Sequence, residues 1–154
     1  MRSLGHELGE DGGMLREFYS CRCERVLPEL LPWRGATFDL FLALSGECTP
    51  ASYADIAARV ARYNVDWVQV AGRDAEMLHD LIDHASVDSG RQEKVGEGKP
   101  MTSWHEEATT PEQMAEVAYS CLGSAERVLC VVVGSETDEV CFASHLSRRL
   151  KVPA

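Results

Sequence analysis

Four apolar runs, each followed by a segment with helical periodicity, are the feature of this sequence that most constrains its fold. Three of the runs end at a glycine, and helix-start residues such as Thr110 and Pro111 follow the third. A repeated strand-then-helix order is typical of a parallel sheet with helices packed on it. The predicted strand and helix pairs occupy residues 36–46 and 49–64, 65–72 and 73–87, 101–107 and 109–124, and 126–134 and 135–151.

The composition of the apolar runs indicates how the sheet is covered. Residues 40–44 (LFLAL) and 128–133 (VLCVVV) contain no polar residue that could face water, as is typical of parallel strands buried on both sides. We therefore predict an α/β fold with an open, mostly parallel, four-stranded sheet and helices on both faces, doubly wound as in Rossmann and flavodoxin-like proteins. A closed barrel would need eight such pairs.

The residues before the first pair give a different pattern. Apolar residues recur at three-four spacing until Pro32, which predicts an N-terminal helix over residues 14–31. The glycine-rich residues 1–13 are predicted to be a flexible N-terminus. Since 154 residues suit one domain of ordinary size, residues 14–154 are expected to form a single α/β domain that includes this helix.

The charge of the chain limits the class of partner. The formal net charge is −10, and residues 35–140 contain 19 acidic but only 7 basic residues. Nucleic acids are not expected as partners, because binding to phosphates depends on lysine and arginine. A basic protein would instead be attracted by the long-range field.

Targeting and cofactor signals are missing from the sequence. No apolar run reaches the ~18 to 20 residues of a membrane-spanning helix, and no signal peptide is recognisable, so we expect a cytoplasmic protein with no membrane partner. The six cysteines are then expected to be reduced. Neither zinc-ligand spacing nor a glycine-rich phosphate loop occurs, so we expect no metal and no cofactor.

The stretch LHDLIDH, residues 78–84, carries the densest set of chemically active side chains. His79 and Asp83, and likewise Asp80 and His84, are spaced i, i+4 and could form ion pairs on a helix surface. These four residues fall opposite the apolar side of the predicted helix. A metal would need further donors from elsewhere. We therefore interpret the stretch as a solvated or partner-facing surface.

Two other groups of residues are candidates for binding a partner. Glu106 and Glu107 follow the third predicted strand. They could join His105 in holding a divalent ion, but acidic residues before a helix also stabilise its N-terminus. Trp33 and Arg34 form a loop pair that would make an interaction anchor if exposed. If buried, Trp33 is instead expected to fill the space where the N-terminal helix meets the sheet. Trp104, within a predicted strand, is expected in or near the core.

Two functional hypotheses follow from these observations. The first is a non-enzymatic acidic module that neutralises or regulates a basic protein partner, in the way that immunity proteins and antitoxins inhibit their partner proteins. It would bind through Trp33, Arg34, His79, Asp80, Asp83, His84, Glu106 and Glu107. The second is a small α/β enzyme or ligand-sensing domain. It would use the acidic strand-end loops and a catalytic pair, with Cys48 as nucleophile before a helix and His105 as base.

Self-association is a further hypothesis. The predicted N-terminal helix and the C-terminal helix, with Val140, Phe142, Ala143 and Leu146, could pair between subunits. Because two-fold dimers are the commonest oligomers, a homodimer is the expected form of such an assembly.

Overall fold

The structure of the chain is a computed structural model that describes residues 2–8, 14–22, 37–46, 50–88, 101–120 and 125–150. These residues form six strands and four helices. In chain order they are β1 (Arg2–Leu8), β2 (Met14–Arg22), β3 (Phe38–Leu44), α1 (Pro50–Val60), β4 (Val65–Gly72), α2 (Ala75–Asp88), β5 (Met101–His105), α3 (Pro111–Tyr119), β6 (Arg127–Val133) and α4 (Glu136–Arg149).

The strands form one mixed sheet in the order β1-β2-β6-β3-β4-β5. β1 runs antiparallel to β2, and the other four neighbouring pairs are parallel. The α/β class and the mostly parallel sheet are thus confirmed, but the sheet has six strands rather than the four predicted. None of the helices described is both long and apolar enough to cross a bilayer.

The N-terminal segment differs most from the prediction. The helix predicted over residues 14–31 is wrong for Met14–Arg22, which form β2, and the remainder lies outside the described residues. Arg2–Leu8, in the part predicted to be flexible, form β1. The reason is pairing over a long distance: Phe18 lies beside Val128 of β6 and is fully buried. Three-four spacing in the sequence cannot reveal such a partner.

Two hydrophobic cores lie on opposite faces of the sheet. Leu40 and Leu42 of β3 pack with residues of α1 and α2 on one face. Phe41 and Ala43 of the same strand pack with residues of α3 and α4 on the other. Alternate residues of a strand point to opposite faces, so both sets are buried only because both faces carry helices.

The C-terminal helix α4 belongs to this second core. Phe142, Ala143 and Leu146 are buried against the sheet, which contradicts their predicted place in a contact between subunits. Val140 is 47% exposed on the same helix. The homodimer itself stays a prediction.

The winding of the chain around the sheet reverses between β3 and β6. These strands are neighbours, yet the helix after β3 packs on one face and the helix after β6 packs on the other. In open α/β sheets, ligands bind at the carboxyl ends of strands where the winding reverses in this way. The fold therefore directs attention to residues after Leu44 and Val133.

Glycines allow the strand ends to approach closely at this edge. Gly72, at the end of β4, has φ +125°, and a Cβ there would lie 2.5 Å from the carbonyl oxygen of Leu44. A Cβ on Gly134 would overlap Ser45 Oγ and lie 2.9 Å from Asp138 Oδ2. Larger residues would push the ends of the strands apart.

Candidate functional site

A connected group of polar side chains lies at the contact between α2 and β5. His79 is 8% exposed, and Nε2 of its ring lies 2.8 Å from Thr102 Oγ1. The Thr102 hydroxyl donates to Asp83 Oδ1 at 3.1 Å. Because that hydroxyl has one proton to give, His79 Nε2 must be the donor toward Thr102.

The other nitrogen of His79 faces a second carboxylate. Nδ1 lies 3.1 Å from Asp80 Oδ1, and Nε2 lies 3.8 Å from Asp83 Oδ2. Both ring nitrogens therefore lie close to side-chain oxygen atoms of neighbouring residues. The predicted i, i+4 pair of His79 with Asp83 is confirmed.

The expected position of His79 on an outward surface is wrong. The helical wheel places His79 opposite the apolar side of α2, but β5 lies against this part of the helix and buries the ring. The predicted side-chain pair of Asp80 with His84 is also not formed. Instead, His84 Nδ1 lies 2.7 Å from the backbone carbonyl oxygen of Asp80. The register of a neighbouring strand, which one helix sequence does not encode, accounts for the burial of His79.

An acidic depression lies beside this network. Its volume is about 430 Å³, and its carboxylates come from Asp74, Glu76, Asp80 and Glu106. We call this surface the acidic face. Arg73 and His84 supply its basic groups, and Met77 and Leu81 its apolar surface. Asp80, His84 and Glu106, three of the predicted binding residues, are thus brought together by the fold.

An exposed aromatic side chain packs against the His79 ring. The Trp104 ring lies 4.4 Å from the His79 ring, centroid to centroid, and Trp104 is 45% exposed, contrary to its expected place in the core. Thr102 and Trp104 alternate with residues that point to the other face of β5. Since β5 ends the sheet order, Trp104 lacks the strand neighbours on both sides that bury residues of β3.

A separate cleft lies at the carboxyl ends of the strands. It has a volume of about 500 Å³ and is lined by Leu44, Ser45, Gly46, Tyr53, Arg73, Asp74 and Thr109. We call it the strand-end cleft. The Tyr53 hydroxyl donates to Asp74 Oδ2 at 3.1 Å, and the Asp74 carbonyl accepts from the Leu78 amide at the start of α2. Arg73 and Asp74 border both the cleft and the acidic face.

The proposed catalytic pair is not tested by these contacts. His105 Nδ1 lies 3.3 Å from Glu107 Oε1, which orients the imidazole, whereas Cys48 lies outside the described residues. Trp33 and Arg34 also lie outside them. In the described parts of the chain, no three His, Cys, Asp or Glu side chains are grouped so as to hold a metal ion.

Comparison with known proteins gives one match. A family model described as "Domain of unknown function (DUF7684)" matches residues 20–149, which include every described element from β3 to α4. No curated protein matches the chain, and no solved structure matches it.

Proposed function

The chain belongs to the DUF7684 family, a domain of unknown function, and we propose from the chemistry of its surface that it is a cytoplasmic, non-enzymatic protein-binding module. The acidic face binds a basic segment of a protein partner and thereby neutralises or regulates that partner. This is the mode of action of immunity proteins and antitoxins that mask a basic protein. The observation that carries the proposal is the grouping of four carboxylates in one depression around Met77.

The charge balance of the acidic face favours a cationic partner. Four carboxylates face two basic side chains, Arg73 and His84, on a chain whose net charge is −10. Lysine and arginine side chains of a partner would reduce the mutual repulsion of these carboxylates. Complementary charge also raises the rate of association and selects against acidic partners.

Exposed apolar side chains supply the second element of a binding surface. Met77, which lines the acidic face, is 40% exposed, and Trp104, which packs against the His79 ring, is 45% exposed. A tryptophan at the centre of an interface often contributes a large part of the binding energy. Its ring can also stack on an arginine guanidinium, and methionine adapts to the aliphatic stems of basic side chains.

The contacts beneath this surface hold it in place. His79 is fixed by Thr102 and Asp80, and its ring supports Trp104. A surface that is already ordered loses less conformational entropy when a partner binds. His79 and Thr102 therefore influence binding indirectly, because they hold Asp80 and Trp104 in place and do not touch the partner.

A peptide titration tests the proposal. The probe is a fluorescein-labelled peptide of repeated Lys-Leu-Arg units, titrated with the full chain at low and at physiological salt. The test variant is Glu76→Gln with Asp80→Asn and Glu106→Gln. We expect about tenfold weaker binding, because three exposed charge contacts contribute ~0.2 to 1 kcal/mol each. Trp104→Ala is expected to weaken binding as well.

A matched control distinguishes the effect of the acidic face on binding from the effect of the net charge of the chain. Asp55→Asn with Asp66→Asn and Glu126→Gln makes the same change in net charge at exposed residues outside the depression. It should weaken binding less than about twofold, because distant exposed charges are screened. Equal losses in both triple variants, or no binding at low salt, would refute a role for this surface.

A further inference from the structure

The strand-end cleft contains a cationic side chain, Arg73, and a carboxylate, Asp74, that do not form an ion pair with each other. Arg73 is exposed, and in the described residues no carboxylate, including that of Asp74, lies within ion-pair distance of it. Both side chains line the same cleft of about 500 Å³. Two opposite charges held apart in one cleft are complementary to a ligand that carries both signs.

The carboxylate of this pair is held in a defined position. Tyr53 is 1% exposed, and its hydroxyl donates to Asp74 Oδ2 at 3.1 Å. An ionised carboxylate can accept about four hydrogen bonds, so this contact leaves acceptor capacity for a ligand. Asp74 is also fixed through its backbone, because its carbonyl accepts from Leu78 in the first turn of α2.

The position of the cleft in the fold is that of a ligand site. Ser45 and Gly46 follow β3, and Arg73 and Asp74 follow β4. These residues of the lining therefore lie at the carboxyl ends of the strands, next to the point where helices change face. This is where open α/β sheets bind small molecules, and the volume lies within the usual range for such sites. Leu44 and Tyr53, both buried, form part of its wall.

We propose that the strand-end cleft binds a small zwitterion of the amino-acid class, with its carboxylate at Arg73 and its ammonium group at Asp74. A simple anion such as phosphate would be repelled by Asp74 and by Glu76 and Glu106 of the adjoining acidic face. A simple cation would pair with Asp74 but would leave the Arg73 guanidinium without an anionic partner. A molecule with both charges satisfies both residues, and the site does not depend on the proposed protein partner.

The experiment uses the full chain labelled with ¹⁵N. Each of the common L-amino acids is added separately at millimolar concentration, and amide shifts are recorded. We expect at least one amino acid to give saturable shifts at Gly46, Asp74 and Thr109. Its methyl ester, which lacks the carboxylate, and its N-acetyl derivative, which lacks the ammonium group, should each bind at least about tenfold more weakly, because each loses a charge-assisted contact.

Substitutions then assign the two charges. Arg73→Gln and Asp74→Asn should each weaken the binding of that amino acid at least about tenfold. Asp74→Asn keeps an acceptor for the Tyr53 hydroxyl, so the fold is retained. The controls are Arg62→Gln and Asp55→Asn, which remove exposed charges that do not line the cleft. Both control variants should bind the amino acid with the affinity of the wild type.

Three results would overturn the proposal. One is the absence of saturable shifts with every amino acid. Another is equal binding of inorganic phosphate or of the ester and N-acetyl derivatives, which would show that one charge is enough. The last is unchanged affinity in both cleft variants. None of these results bears on the basic peptide, whose binding is measured separately.

Discussion

The Cys141 thiol of α4 donates to Glu112 Oε1 of α3 at 2.9 Å. One turn further along both helices, His145 Nε2 lies 2.7 Å from Glu116 Oε1. Residues four apart lie on the same side of a helix, so the two contacts show that α3 and α4 run side by side in the same direction. The same two helices also contribute buried residues, among them Met114 and Phe142, to one hydrophobic core.

The first prediction concerns the reactivity of Cys141. The hydrogen bond to the Glu112 carboxylate raises the pKa of the thiol, since a neighbouring negative charge disfavours the thiolate. Glu112→Gln should therefore speed alkylation of Cys141 by iodoacetamide and move its pH profile to lower pH. Peptide-resolved mass spectrometry separates this thiol from the other five. Glu116→Gln is the control, and equal rates in the wild type and Glu112→Gln would contradict the assignment.

The second prediction concerns the core beneath α4. Phe142 is fully buried, and its ring stacks on Phe41 with centroids 6.0 Å apart. Phe142→Ala should lower the free energy of unfolding by about 3 to 5 kcal/mol, because it leaves a cavity in a packed core. Urea denaturation measures the loss. Val140→Ala on the exposed side of the same helix should change stability by less than about 0.5 kcal/mol, and a comparable loss there would argue against this orientation of α4.

The third prediction concerns a buried acid at the amino end of β3. Burial raises the pKa of Asp39 from 3.8 to about 6, although its Oδ2 accepts a hydrogen bond from the Ala125 amide. Because the folded-state pKa lies above the unfolded one, this group's contribution to stability is fully present below about pH 4. It is lost as the pH rises through about 6.

Asp39→Asn should remove this pH dependence. The variant keeps an acceptor for Ala125 and carries no charge, so at pH 7 it should be more stable than the wild type by about 1 to 3 kcal/mol. The free energy of unfolding is measured in urea across the pH range from 4 to 7, with Asp55→Asn as an exposed control. A wild-type curve that stays parallel to that of Asp39→Asn would rule out Asp39 as the titrating group.

The fourth prediction concerns the hydroxyl between α2 and β5. Thr102 accepts from His79 and donates to Asp83. Thr102→Val keeps the shape of the side chain but leaves both partners without this contact. It should therefore lower stability by about 1 to 3 kcal/mol and alter the fluorescence of Trp104, which the His79 ring supports. Thr102→Ser should restore most of both properties, and failure of serine to do so would show that the methyl group matters instead.

The sequence was informative wherever structure is set by neighbours along the chain. The four predicted strand and helix pairs are present, and Thr110 and Pro111 begin α3 through a capping box with Gln113, as their residue types indicate. The buried runs at β3 and β6 are confirmed as strands covered on both faces. These features depend on side-chain periodicity and backbone preference, both of which are local.

The candidate site was predictable only in part. The acidic residues after β5 and within α2 were identifiable as a group, because carboxylates at such density are visible in the sequence. Their meeting in one depression with Met77, and the exposure of Trp104, depend on β5 ending the sheet. Arg73 and Asp74 belong to no sequence motif, and their place in a cleft at the end of β4 depends on the fold.

The alternation of strands and helices, the burial of the central strands and the excess of acidic residues could all be derived from the amino-acid sequence. Three features required the folded chain: residues 14–22 form a strand, β6 lies between β2 and β3, and His79 is enclosed rather than exposed. Local periodicity fixes which side of an element is apolar. The partner that covers that side comes from residues far along the chain.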